Sequence, residues 1–208
     1  MQDRARRTRE HVLRAAMEEF AAHGYGNTTM NAMAARIGMT KGALYGHFAS
    51  KEELTCAVIR QADAAWQRIQ SENSPPGATP LAALRAVVLA LARALREDVG
   101  LRAAYRLLAD GVPGGHAAHG AGSPAHGFFA EAQRHVAALV RRAQDAGEIA
   151  PDHPPGETAR LLLAVVLGGH SAALLPPGVG FALGIENAWE TIALALTGPR
   201  PTAERARR

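Results

Sequence analysis

Apolar residues in this chain of 208 recur at intervals of three and four, the spacing of one helix face, and no alternating strand pattern stands out. Leu13, Ala16 and Phe20 predict a first helix closed by Gly24, and Met30, Met33, Ala34 and Ile37 predict a second closed by Gly38. Thr40 reads as the N-cap of a third, with Leu44 and Phe48 on its buried side. Ser50 and Glu53 form a capping box, so a fourth helix is expected from Lys51 to about Glu72.

The breaker Asn73 to Pro80 (NSPPGATP) follows, and beyond it Leu81, Leu84, Val88, Leu91 and Leu95 mark a fifth helix. A short helix is expected over Leu101 to Asp110, ended by Gly111 and Pro113. After the Gly/His-rich loop Gly114 to Pro124 comes one over Ala125 to Ala146, and after the turn Pro151 to Gly156 two more, over Glu157 to Leu174 and Phe181 to Leu196. The fold class is therefore all-α: a three-helix unit over residues 1–50, a helical domain over 51–198, and a tail over 199–208 expected to be disordered.

Charge separates the same two parts. Residues 1–51 carry eight Arg and Lys against four Asp and Glu, whereas residues 52–208 carry fifteen of each. A basic module joined to a neutral one is the electrostatic footprint of nucleic-acid binding. Both lysines of the chain, Lys41 and Lys51, fall in this basic part, at the openings of the third and fourth helices. A single cysteine, Cys56, the lack of an apolar stretch behind the charges of MQDRARRTRE and the lack of an apolar run near 20 residues lead to the expectation of a cytoplasmic protein without a membrane partner. Arg4, Arg6, Arg7 and Arg9 are expected to form a solvated arm, with phosphate or minor-groove contact as the alternative.

The segment Thr28 to Leu54 carries the chemistry. A helix-turn-helix needs a short second helix whose N-terminal residues reach base edges in the major groove. Gly38 permits the sharp turn. Lys41 can then donate to guanine O6 or N7, and Gly42 lets the backbone come close. Tyr45 and His47 can bond phosphates, while Thr28 and Lys51 sit at helix starts, where free amides favour anions. TKGALYGHFASKEEL, preceded by GYGNTTMNAMAARIGM, resembles the DNA-binding domain of the TetR family of one-component repressors over about residues 8–58. The resemblance implies base contacts from Lys41 and Gly42 and phosphate contacts from Thr28, Thr40, Tyr45, His47 and Lys51. It also implies a helical C-terminal domain that dimerises through its last two helices, encloses a small-molecule effector, and binds palindromic double-stranded operator DNA.

Two apolar stripes support a homodimer: Leu162, Val165, Val166 and Gly169 on one helix, Ile185, Trp189, Ile192 and Leu196 on the last, with Gly168 and Gly169 permitting close approach. KGALYGHFASKEEL taken with LRAAYRLLADGVP is also similar to the γ-butyrolactone receptors of antibiotic-producing actinomycetes, which leave DNA when a signalling lactone binds. That subfamily places a tryptophan over the lactone; here the best match is Phe128, a departure that favours a divergent member answering a furan, butenolide or antibiotic. The expected pocket residues are Leu84, Val88, Leu91, Leu108, Phe128, Phe129 and Val166, with Tyr105, Gln133 and His170 as its polar members. The alternative is an orphan repressor whose pocket has collapsed. His116, His119 and His126 have no cysteine or well-placed carboxylate beside them, so no metal site is expected, and neither a cofactor nor an enzyme's motif is read.

Overall fold

A computed structural model describes residues 2–74, 76–111, 124–172 and 185–198. The described residues form α1 (Gln2–Asn27), α2 (Met30–Arg36), α3 (Lys41–Tyr45), α4 (Lys51–Glu72), α5 (Pro80–Glu97), α6 (Val99–Ala109), α7 (Pro124–Asp145), α8 (Pro155–Ala172) and α9 (Ile185–Thr197), with no strand among them. The histidine loop with His116 and His119, the linker between the last two helices and the C-terminal tail lie outside the described residues, as do the side chain of His126 and the expected start of the last helix at Phe181. Among the described residues no helix is long and apolar enough to cross a membrane, and no three metal-type ligands come together.

The chain folds as two compact units, one of residues 1–68 and 93–132, the other of 69–92 and 133–208. In the first unit α1 buries Val12, Ala16 and Phe20 beside Met33, Leu44, Phe48 and Leu54. The arginine-rich start is helical from Gln2 and not a loose arm. Arg6 pairs with Glu10 at 3.2 Å, one turn on, and Arg9 lies over the Phe48 ring, pairs with Glu53 at 3.6 Å and donates to the His47 carbonyl. Such i,i+4 pairs and a packed side chain make the first two turns worth forming. Gly24 breaks the helix in an extended left-handed conformation (φ 72°, ψ −177°), where the sequence placed its end.

The α2–α3 turn closes on Gly38 (φ 65°), with the Met39 amide donating to Ala34 O at 2.9 Å. Arg36, at the end of α2, reaches back to α1 and pairs with buried Glu19 at 2.8 Å and with Glu18 at 3.2 Å. In α6, Asp98 caps the start two residues before the expected boundary, accepting from the Gly100 and Leu101 amides.

The second unit buries Leu84, Val88, Leu91, Val136, Leu139, Val140, Leu162, Val166, Trp189 and Leu196. Thr79 caps α5 ahead of Pro80, and the Glu148 carboxylate accepts from the Leu81 amide at 2.9 Å. The Ala150 amide donates to Leu196 O, tying the turn after α7 to the end of α9.

Gly38 has open space where a Cβ would stand, so only its positive φ opposes substitution. Gly38→Ala should cost about 1–2 kcal/mol for holding an L-residue in that conformation, which for a chain of this size lowers Tm by about 2–8 °C. Gly38→Asn should cost less, because asparagine tolerates the left-handed region; thermal unfolding followed by circular dichroism compares the two.

Candidate nucleic-acid interface

Around α3 the sequence builds a short helix whose outer face is free of internal duties. Thr40 caps it, its hydroxyl accepting from the Ala43 amide at 3.2 Å. Leu44 alone points inward and is fully buried. Thr40, Lys41, Gly42, Ala43 and Tyr45 are exposed, Tyr45 to 41%, which is high for an aromatic ring. The Lys41 ammonium sits 5.7 Å from the Tyr45 ring centroid, with no ion pair among the described residues. A Cβ on Gly42 would meet nothing within 4 Å, so no packing inside the protein demands glycine there.

Two of the expected phosphate ligands are engaged elsewhere. Thr28 is 1% exposed and its hydroxyl donates to Gly24 O at 2.7 Å. The residue presented at the start of α2 is instead Thr29, exposed and capping through its hydroxyl to the Ala32 amide at 3.1 Å. The repeated threonine leaves the cap ambiguous by one position, and burial resolves it. Lys51 is half-buried, its ammonium donating to the Tyr25 carbonyl and lying 3.8 Å from the centre of the Tyr25 ring. Burial lowers the Lys51 pKa, partly offset by neighbouring Glu52. His47 is half-buried and its carbonyl accepts from Arg9.

Tyr25 is the residue that sequence reasoning missed; the only hint was an aromatic side chain between Gly24 and Gly26. Its hydroxyl donates to Glu52 at 2.9 Å and its amide donates to the Asp110 carboxylate at 2.8 Å. The capping box at the head of α4 is displaced by one residue. The Ser50 hydroxyl accepts from the Glu53 amide as expected, but the Glu53 carboxylate accepts from the Ala49 amide.

The ten residues expected to line an effector pocket divide between the units. Tyr105, Leu108, Phe128 and Phe129 belong to the first, where Phe129 stands edge-on to both Phe128 (4.6 Å) and Tyr105 (6.5 Å). Leu84, Val88, Leu91, Gln133, Val166 and His170 belong to the second. Tyr105 and His170 each already have an interaction within the protein. A crevice of about 290 Å³ in the first unit is lined by Arg14, Met17, Gln61, Arg68, Glu97, Asp98, Val99 and Gly100, and includes none of the ten.

Of the eight residues expected at a dimer interface, Leu162, Val166, Ile185, Trp189 and Leu196 are buried inside the protomer, and Val165, Gly169 and Ile192 are half-buried. The apolar side chains left to solvent on these helices stand off the expected stripes: Leu161 on α8 (57% exposed), next to Leu162, and Leu194 on α9 (74%), between Ile192 and Leu196. Ala164 and Gly168 share the Leu161 face, Thr191 the Leu194 face, and Gly168 has open space around it.

Residues 12–58 match the family model described as bacterial regulatory proteins, tetR family. The HTH-type transcriptional regulator UidR of Escherichia coli (strain K12) is 32% identical over 173 residues, covering 81% of this chain and 82% of that protein. The A-factor receptor protein of Streptomyces griseus is 30% identical over 167 residues, 80% of this chain but 55% of that longer protein. A solved structure of a γ-butyrolactone receptor (ArpA-like protein) superposes with a TM-score of 0.74 at 26% identity, covering 98% of this chain and 94% of that one.

Burial, then the hydrogen bond to Glu52 and its negative charge, push the Tyr25 phenol up to about 12. Because its pKa is raised on folding, the Tyr25–Glu52 contact is fully present below about pH 10 and is lost as the pH rises through about 12. An ultraviolet titration should therefore show one phenol ionising near pH 12, and Tyr25→Phe should remove that step.

Proposed function

The chain belongs to the tetR family of bacterial regulatory proteins, whose members are DNA-binding transcriptional regulators and not enzymes, and on that premise we propose that it is a homodimeric, ligand-released repressor acting in the cytoplasm. The observation that carries this reading is the outer face of α3: Thr40, Lys41, Gly42 and Tyr45 exposed together on a capped helix, with Lys41 in no ion pair among the described residues. Such a face suits the major groove of a palindromic operator half-site, with Lys41 and Gly42 at base edges and Thr40, Tyr45 and Thr29 at phosphates. Two-fold DNA symmetry asks for a two-fold protein, and the exposed Leu161 and Leu194 faces of α8 and α9 supply apolar surface for it.

For the effector, the similarity to the A-factor receptor and to γ-butyrolactone receptor structures supports a small, largely apolar signal such as a butanolide, butenolide, furan or antibiotic. The cluster of Tyr105, Phe128 and Phe129 suits a compact ring better than a charged ligand. The regulated genes would then be those for making or exporting such a compound. A second reading, the orphan repressor, draws on the deep burial of Leu84, Val88, Leu91, Phe128 and Val166, which ordinary core packing also explains.

A gel shift on the chain's own upstream DNA, titrated with an extract of the producing culture, separates the two readings. Retardation reversed by the extract supports ligand release, and retardation that no extract reverses supports the orphan. Lys41→Ala should weaken operator binding by about 1–3 kcal/mol per half-site, or roughly one to two decades. Leu194→Glu should leave a folded monomer by sedimentation, whereas Trp189→Ala should lower stability by about 3–5 kcal/mol through loss of a buried side chain.

A further inference from the structure

Three helices meet at one residue in the first unit. Tyr25 follows the break at Gly24, and its amide donates to Asp110 Oδ2 at 2.8 Å. Asp110 is the C-cap of α6, and Arg106, one turn earlier, pairs with it at 3.3 Å. The carboxylate stands where a Cβ on residue 24 would stand, so the contact requires glycine for space as well as for φ. The rest of Tyr25 belongs to α4. Lys51 donates to its carbonyl and lies against its ring, and Glu52 accepts from its hydroxyl. One residue is thus held by α6 on its amide and by α4 on its carbonyl, ring and hydroxyl. Only five residues, Gly46 to Ser50, separate the held turn of α4 from α3.

We propose that Asp110 and Tyr25 are positioning residues, forming a clasp through which the end of α6 sets the orientation of α3 for DNA. A hydrogen bond to a carboxylate is stronger than one between neutral groups, and both sides of this one lie at helix ends, where a small shift redirects the next segment. Tyr105 and Leu108 of the expected effector site lie on α6 within five residues of Asp110. A shift that an effector imposes on them therefore has a route to the reading head through Asp110 and Tyr25. This rests on the repressor reading above for its functional meaning, but the clasp itself does not depend on dimerisation or on an effector.

The test uses the full chain. Asp110 is exposed and Asp110→Ala leaves the core untouched, while Asp110→Asn keeps an acceptor oxygen in place. Amide hydrogen exchange followed by nuclear magnetic resonance should show Asp110→Ala accelerating Tyr25 and the first turn of α4, residues 51–54, by about tenfold or more, with Asp110→Asn largely restoring protection. A merely local cap on α6 would accelerate α6 alone, and unchanged exchange in α4 would overturn the clasp. On DNA, Asp110→Ala should relax discrimination among operators of altered half-site spacing, where a loss of general stability would weaken all of them equally. If the unmodified chain binds no operator, the repressor reading falls, and the exchange result still decides the clasp.

Discussion

The seating of α6 along α1 is the constraint on which the reading head depends. The two helices run in the same direction, with Gly100 beside Met17 at one end and Asp110 against Gly24 at the other. A Cβ on Gly100 would stand 3.1 Å from Met17 Sδ and 3.0 Å from the Asp98 carboxylate that caps the helix. Gly24 therefore allows an approach that a side chain would prevent, and at Gly100 a Cβ would require the Met17 and Asp98 side chains to give by a few tenths of an ångström. Small helical units bury little surface of their own. The five-residue α3 is anchored by the buried Leu44 and the Thr40 cap, which leaves its outer face free of packing.

Electrostatics in the head is sorted rather than summed. Of its eight basic residues, Arg6, Arg9 and Arg36 hold ion pairs within the protein and Lys51 is held by Tyr25. Arg4, Arg7, Arg14 and Lys41 are exposed and hold no ion pair among the described residues. The formal excess thus overstates the number of groups free to replace counterions on DNA, and it is the free set that governs salt dependence. The same sorting explains why lysine stands at position 51. A compact ammonium on a flexible stem reaches a carbonyl and a ring face at once, where the broad guanidinium fork is shaped for carboxylates and phosphates.

The apolar stripes of α8 and α9 show how far a helical pattern carries. Periodicity correctly marks Leu162, Val166, Ile185, Trp189 and Leu196 as residues that avoid water, and all five are buried. It cannot say whether the covering surface belongs to the same chain or to a second copy, because both remove the same area from water. Placement of the helices decides this. The protomer covers the richer stripe itself and leaves Leu161 on α8 and Leu194 on α9 exposed.

The sequence by itself determined the all-helical class, most element boundaries and the exposed face of α3, because these rest on local physics: helical spacing, caps at Thr40 and Ser50, and glycines at Gly24 and Gly38. It also marked the first fifty residues as basic. The tertiary structure alone decided which polar groups were free. Thr28 and Thr29 are interchangeable as letters, yet one is buried by its bond to Gly24 and the other is exposed. Lys51 is engaged by Tyr25, 26 positions earlier, through its carbonyl and its ring. The Asp110–Tyr25 contact joins positions 85 residues apart. Such pairings have no period and no spacing to read, since the approach of two helices, and not the run of either, brings the groups together.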